Sequence, residues 1–404
     1  MHADQLMKTS NSDKGKRMLR VLAENGLFGP ARVISYREGI EYDASKTCYL
    51  CSLEGACIFE RIPDLIDRVL KELEGIEFTT FLVGSIQSPL LDERQDEIRS
   101  ELGLSHGESL KADFNRELGK FLQSYLQRKV EFEAPEVVIV YDVVNDSISL
   151  QINPLFIYGR YLKQERGIPQ SRWDCSDCKG KGCEVCNNTG RKYPDSISEY
   201  IGGPFLQTTK GSRYKVHAAG REDIDALMLG TGRPFVIEIS EPQRRTLDFE
   251  SIIEKIKKES EGKVEVLDLS VTTRAHGQRL KEEAAENIKE YTAIISTEGE
   301  VSDEFLRVAE QGLANITIQQ RTPERVAHRR SDLTREKRVI EVRLKHKKDK
   351  LVEGYFKVQG GTYIKELISG DNGRTSPSLT ELLHTMCKCI ELDVVAIHST
   401  HHKA

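Results

Sequence analysis

"HAAGREDIDALMLGTGRPF", residues 217–235, sets Asp223 and Asp225 between a Gly-Arg-Glu-Asp run and a Gly-x-Gly-Arg-Pro run. An apolar, strand-like stretch, 236–239, follows at once. Glycines on both sides let the backbone take conformations that side chains resist. The segment is therefore either an ordinary charged surface turn or the rim of an active site. Around it, strand patterns fit 214–218, 234–239, 264–273, 291–296, 316–320, 339–345 and 351–359, and helical spacing fits 249–258, 278–288 and 302–312. The strands follow one another in hairpin fashion, without the regular strand–helix–strand alternation of a doubly wound sheet. The expected architecture for 193–404 is a mixed, mostly antiparallel sheet with flanking helices.

Upstream, 48–161 reads as a smaller unit. Leu65, Ile66, Val69, Leu70 and Leu73 recur at helical spacing, and Leu118, Phe121, Leu122 and Tyr125 mark a second helix. Residues 78–83 are β-branched and aromatic, hence a strand. Runs at 137–144 and 147–152, split by Asn145-Asp146, predict a β-hairpin whose turn tolerates positive φ. The whole chain is thus of the α+β class. Residues 1–47 form an N-terminal extension, and 162–192 a basic linker that begins with Lys163, Arg166 and Arg172.

Within that linker, Cys175-x-x-Cys178 and Cys183-x-x-Cys186 flank Lys179-Gly180-Lys181-Gly182. Four thiolates on two tight, glycine-containing turns can surround a tetrahedral Zn²⁺. All four positions are then closed by protein, which predicts a structural metal and not a catalytic one. A lone Cys48-x-x-Cys51, with Cys57 nearby, lacks a full ligand set.

Composition narrows the function. With 404 residues, 38% hydrophobic and 30% charged, the chain is a globular protein of two or three domains. No apolar run is long enough to span a bilayer, and residues 1–20 hold no apolar stretch of the secretory kind. Nine cysteines, an odd number clustered in pairs, point to metal ligands or reduced thiols, and so to the cytoplasm. On a chain of net charge -5, residues 321–350 carry twelve Lys/Arg against five Asp/Glu. A segment this basic is the footprint of a phosphate-binding surface, or else a solvated strand pair.

Several stretches resemble one family, the archaeal tRNA pseudouridine(54/55) synthases: "GREDIDALMLGTGRPFVIEI", "YTAIISTEG", "QQRTPERVAHRRSDLTREKRV" and "GGTYIKELISGDNGRTSPSL". "VIVYDVVNDSISLQINPLFIYGRYLKQERGIPQSRWDC" is similar to the end of that family's THUMP-type RNA-binding domain and its linker. The likeness runs from about residue 48 to the C-terminus. It departs at "VLAENGLFGPARVI", where family members carry a further Cys-x-x-Cys and this chain has none. The family's second zinc therefore does not carry over to Cys48 and Cys51.

The resemblance implies an isomerase that detaches a uridine base of the tRNA T-loop at position 54, 55 or both, turns it, and rejoins it through C5. It implies no organic cofactor, no obligate protein partner and no membrane. The essential aspartate falls on Asp223, with Asp225 as the competing choice; it acts as nucleophile or as base. A carboxylate in a desolvated pocket is kept charged by a cationic partner, and "GTYIKEL" supplies Lys365 there. Tyr291 matches a tyrosine that stacks on the target base near its C5 proton. Tyr363 matches a second pocket tyrosine, and Leu392 a leucine under the base. Gly230, Gly232, Arg233 and Pro234 are expected to shape a turn beneath the site. Arg221 is assigned to a phosphate near the target, and Arg321, Arg325, Arg329 and Arg330 to the tRNA backbone. Two other readings remain: a non-catalytic tRNA-binding adaptor, and another THUMP-containing tRNA-modifying enzyme. The second would want a nucleotide- or cofactor-binding glycine loop, and the sequence offers neither form.

Overall fold

The computed structural model describes residues 49–102 and 107–398. The chain divides into two compact units at Pro154/Leu155, residues 241–245 belonging with the first. The N-terminal extension, 1–47, and Cys48 lie outside the described residues.

The first unit opens with a two-stranded ribbon, β1 (Ser52–Leu53) and β2 (Ala56–Cys57). Helix α1 (Ile62–Glu72) follows, started by a proline in its first turn and burying Ile62, Leu65, Ile66 and Val69. Strand β3 (Thr80–Ile86), helix α2 (Pro89–Leu102) and helix α3 (Leu110–Leu126) come next. Ser109 caps α3 by accepting from Ala112 N, and Gln127 ends it in the left-handed region. Strands β4 (Lys129–Val130), β5 (Val137–Asp142) and β6 (Ser147–Ile152) complete a sheet of order β4-β3-β5-β6. The expected hairpin is β5–β6, antiparallel, with Asp146 at φ +46°. Phe81, Phe114, Leu118, Val137 and Ile139, all fully buried, form the core between sheet and helices.

The second unit is built on a ten-stranded sheet. Its strands are β7 (Leu155–Lys163), β8 (Arg213–Ala218), β9 (Leu227–Ser240), β10 (Val264–Thr272), β11 (Ile288–Thr297), β12 (Ile316–Arg321), β13 (Thr334–Lys348), β14 (Leu351–Gln359), β15 (Thr375–Ser376) and β16 (Cys387–His398). The order is β10-β7-β9-β16-β11-β14-β13-β12-β15, with β8 paired to β9. Every pairing is antiparallel except β16 with β9, which is the mixed, mostly antiparallel sheet expected. Helices α4 (Ile197–Thr209), α5 (Phe249–Glu259), α6 (Arg274–Glu282), α7 (Asp303–Leu313), α8 (Ile364–Ser369) and α9 (Leu379–Leu383) flank it. One core gathers around Ile157, Phe205, Phe235 and Ile256, the other around Ile295, Leu313, Phe356 and Leu367.

Three expectations need correction. The boundary lies near 155 and not 161, because β7 is an interior strand of the large sheet, paired with β9 and β10. The helix expected at 278–288 begins at Arg274, where Thr273 caps it, and ends before Ile288 opens β11. The turn expected around Gly230 and Gly232 is instead a bulge inside one continuous strand, β9. There Tyr161 faces Arg233 and Lys163 faces Met228, so the extra residues loop out. Both glycines are required: Gly230 has φ +56° and a Cβ would meet Val395 O at 1.9 Å, while Gly232 has φ +67° and would meet Tyr161 O at 2.9 Å.

Candidate active site

The loop 219–226, between β8 and β9, carries both aspartates and is braced from below. Glu222 and Arg233 are buried and paired at 2.7 Å. Tyr161 donates its hydroxyl to Glu222, with its oxygen 2.9 and 2.8 Å from the two carboxylate oxygens. Gln170 donates to the Tyr161 oxygen at 2.8 Å and to Gly220 O at 3.0 Å. Arg233 donates to Ala219 O at 2.8 Å, Lys163 to Ile224 O at 2.7 Å, and Arg166 to Asp225 O at 2.8 Å. Four backbone carbonyls of one loop are thus held by fixed side chains. Removing one member of a buried pair such as Glu222–Arg233 costs about 3–5 kcal/mol, since the other charge is left alone. The charges of this segment serve two ends: Glu222 and Arg233 hold the loop, and Asp223 and Asp225 line the cleft above it.

Above the loop opens a cleft of about 440 Å³, within the size range of a small-ligand site. Its walls bring together Arg221, Asp223, Asp225, Tyr291, Arg325, Arg330, Tyr363, Lys365 and Leu392. Lys365 Nζ lies 2.9 and 2.8 Å from the two oxygens of Asp225 and 3.3 Å from Asp223 Oδ2. The lysine thus bridges both aspartates and sits closer to Asp225 than the resemblance implied. Burial alone would lower the Lys365 ammonium, but the two carboxylates win and raise it. Asp225 is lowered: desolvation opposes its charge, and Lys365 outweighs that. The two acids differ in setting, since the Asp223 side chain is 32% exposed and that of Asp225 67%. Burial pushes the Tyr291 phenol up to about 12, with Arg233 opposing and Asp223 adding to the shift.

Sequence reasoning sent Arg325 to the tRNA backbone, and the structure puts it in the cleft. Its Nη1 lies 3.3 Å from the Asp223 carboxylate, while Nε donates to Glu366 Oε1 at 2.6 Å and Nη2 to Oε2 at 3.4 Å. Burial works against the Arg325 charge, yet Glu366 and Asp223 together raise its pKa. Arg330 donates to the Tyr363 hydroxyl at 2.8 Å. Arg321 is taken up by Asp332 at 3.0 Å, away from the cleft. The Arg329 side chain lies outside what is described. Leu392, buried, contributes to the cleft wall. Glu366 went unnoticed, although a carboxylate among Ile364, Leu367 and Ile368 on a short helix was a readable anomaly. Trp173 also lines the cleft, and its place two residues before Cys175 was the available signal.

The four knuckle sulfurs lie within 4.8 Å of one another. Neighbouring pairs are 3.9 Å (Cys175–Cys183), 3.8 Å (Cys178–Cys186) and 3.6 Å (Cys183–Cys186) apart. A tetrahedron with Zn–S bonds of about 2.3 Å has S···S edges of about 3.8 Å, so these three edges match those of a tetrathiolate metal site. Backbone amides aim at the sulfurs: Gly182 N to Cys178 at 3.2 Å and Gly190 N to Cys186 at 3.2 Å. Gly190 has φ +68° and sits where a Cβ would strike Gly180 O at 2.4 Å. The other cysteine pair differs in kind, since Cys51 Sγ is 3.0 Å from Cys57 Sγ in the buried ribbon of the first unit.

In class, this is a pseudouridine synthase domain preceded by a THUMP-type unit. Two family models match in that order, "Pus10 THUMP domain, archaeal" over residues 65–142 and "Pus10, C-terminal" over 156–398. Among curated proteins, the tRNA pseudouridine synthase Pus10 of Methanothrix thermoacetophila is 40% identical over 96% of this chain and 83% of its own length. That of Methanocaldococcus jannaschii is 42% identical over 97% and 83%, and that of Halorubrum lacusprofundi 38% over 98% and 91%. The protein belongs to the Pus10 family. Among solved structures, a Cbf5-Nop10-Gar1 complex superposes on 51% of this chain and 46% of its own, with a TM-score of 0.31 and 16% identity.

Proposed function

We propose that this protein is a tRNA pseudouridine synthase acting on T-loop uridine 54, 55 or both, with Asp223 as the reacting carboxylate. The observation that carries the reading is the position of Asp223: on a braced loop, faced by Lys365 and Arg325, in the cleft that Tyr291 also lines. The reaction breaks a C–N bond, turns the base and forms a C–C bond, so it needs three things. A carboxylate must engage the sugar or base or steady the cationic sugar, an aromatic face must hold the freed base, and an acceptor must take the C5 proton. Asp223 meets the first requirement. Tyr291 meets the second, with Leu392 beneath the base, and it serves the third as a relay, its oxygen taking the C5 proton while its own phenolic proton passes to water. Fixed cations around the carboxylate need no rearrangement as charge develops. The net change is an isomerisation, redox-neutral, so no organic cofactor is called for.

Supporting parts follow from the same reading. Cys175, Cys178, Cys183 and Cys186 hold one structural Zn²⁺, with no position open to substrate. Arg221 and Arg330, exposed at the cleft, meet phosphates of the tRNA. The compartment is the cytoplasm, where reduced thiols persist, and no obligate protein partner is invoked. Among the described residues, no helix is long and apolar enough to cross a membrane.

The test is recombinant protein with an unmodified tRNA transcript, read by carbodiimide mapping and by mass. Conversion at position 54 or 55 with no change in RNA mass is expected. Tight binding without conversion would make the protein an adaptor, and a gain in mass would make it another kind of modifying enzyme.

A further inference from the structure

Trp173 is the chain's one tryptophan, and nothing in the scheme above uses it. It is part-buried and lines the cleft. Its place is set by the root of the cysteine knuckle. Lys192 N donates to Trp173 O at 3.0 Å, Asp174 forms a β-bridge with Arg191, and Cys175 N donates to Gly190 O at 2.8 Å. That short ladder ties the indole to the same two chain segments that carry the four sulfurs.

The surroundings of the ring are aromatic and cationic. Tyr193 packs against it edge-on at 5.8 Å and 80°. The Arg221 guanidinium and the Lys192 ammonium each lie 5.4 Å from a ring centroid of Trp173. Both cations are exposed, so an incoming base can displace one from the ring onto a neighbouring phosphate. A cleft of about 440 Å³ has room for one nucleotide; the next nucleotide along the strand must rest at the rim.

We propose that Trp173 is the stacking platform for the nucleobase adjacent to the target uridine, with Arg221 and Lys192 on the phosphate between them. The cysteine knuckle fixes the position of that platform. Base–aromatic stacking contributes about 1–3 kcal/mol per base and tolerates any base, so this contact positions the strand without choosing its sequence. The inference rests on the RNA-modifying reading above and adds a second nucleotide subsite to it.

Because Trp173 is the sole tryptophan, the unaltered protein reports on it. Titration with unmodified tRNA transcript is expected to quench tryptophan emission saturably, at the concentrations that support isomerisation. Trp173→Ala should raise KM roughly tenfold, within the stacking range, and leave kcat at saturating tRNA unchanged. Trp173→Phe, which keeps a stacking face, should recover most of that loss. Emission that stays constant while the tRNA is bound and isomerised would overturn the proposal and leave the enzyme reading intact. An unchanged KM in Trp173→Ala would do the same. A protein that neither binds nor converts the tRNA would remove both.

Discussion

At the scale of single residues, Arg325 and Glu366 act as one device. Glu366 is buried at 3% exposure and grips two nitrogens of Arg325, leaving Nη1 directed at Asp223. Arg325→Ala is expected to slow conversion of bound tRNA by about 100–1000-fold, the order lost with one electrostatic contact at a reacting group. Glu366→Gln should lose rate through the same arginine, and the double variant should be no slower than Arg325→Ala alone. Single-turnover rates for the four proteins check this; additive losses would mean that Glu366 acts independently. That Asp223, Lys365, Tyr291 and Leu392 share one cleft was legible, the first three from the motifs quoted above. Arg325 was not legible, since a basic residue in a basic segment looks like a phosphate contact. Its carboxylate partner is 41 residues away in sequence, and only folding reveals the pair.

At the scale of elements, the alternating runs were read well and the interrupted ones were not. Helix α4 contains Gly202, Gly203 and Pro204, which read as breakers. Gly202 is tolerated for a tertiary reason: a Cβ there would lie 2.2 Å from the Tyr214 ring of β8. Strand β11 hides another feature, Lys289, which is buried. Desolvation, with Arg233 and Lys337 adding and Glu222 opposing, brings its amine from 10.5 down to about 7. The native state therefore binds fewer protons than the unfolded chain between those two values, and this residue makes stability rise with pH across that window. Below about pH 7 the full penalty applies. Lys289→Met should raise Tm at pH 7 by a few degrees, about 2 °C per kcal/mol if the second unit unfolds by itself, and the gain should vanish towards pH 10. Calorimetry of both proteins across pH decides it; a variant with lower Tm at pH 7, or a gain independent of pH, would contradict the shift.

At the scale of the molecule, the mixed sheet was legible, but the end of the first unit, expected at 161, falls seven residues earlier, at Pro154. The aromatic, alternating run of β7 suits either unit, and only its pairing with β9 and β10 assigns it. The basic segment was also legible as a whole, yet its cations are not equivalent. Arg321 is engaged by Asp332 and Arg325 by Glu366, whereas Lys345 and Lys347 are exposed and have no ion-pair partner among the described residues. Each phosphate contact contributes roughly 0.7–0.9 to the slope of log affinity against log salt. Replacing Lys345 and Lys347 with alanine should weaken tRNA binding and flatten that slope by up to about two contacts' worth, while Arg321→Ala leaves it nearly unchanged. An unaltered slope in the double-lysine variant would make this face solvated surface.

The reading of the whole molecule converges on one loop with two aspartates, two residues apart, bridged by one lysine. Asp223→Asn keeps the shape and removes the charge and the reacting oxygen. Asp225→Asn removes the more exposed partner of Lys365. The decisive measurement is the single-turnover rate of each variant on unmodified T-loop tRNA, beside its affinity for that tRNA. Asp223→Asn is expected to bind as the parent protein does and to form no pseudouridine, with Asp225→Asn still turning over. An active Asp223→Asn beside an inert Asp225→Asn would show that the reacting carboxylate is Asp225.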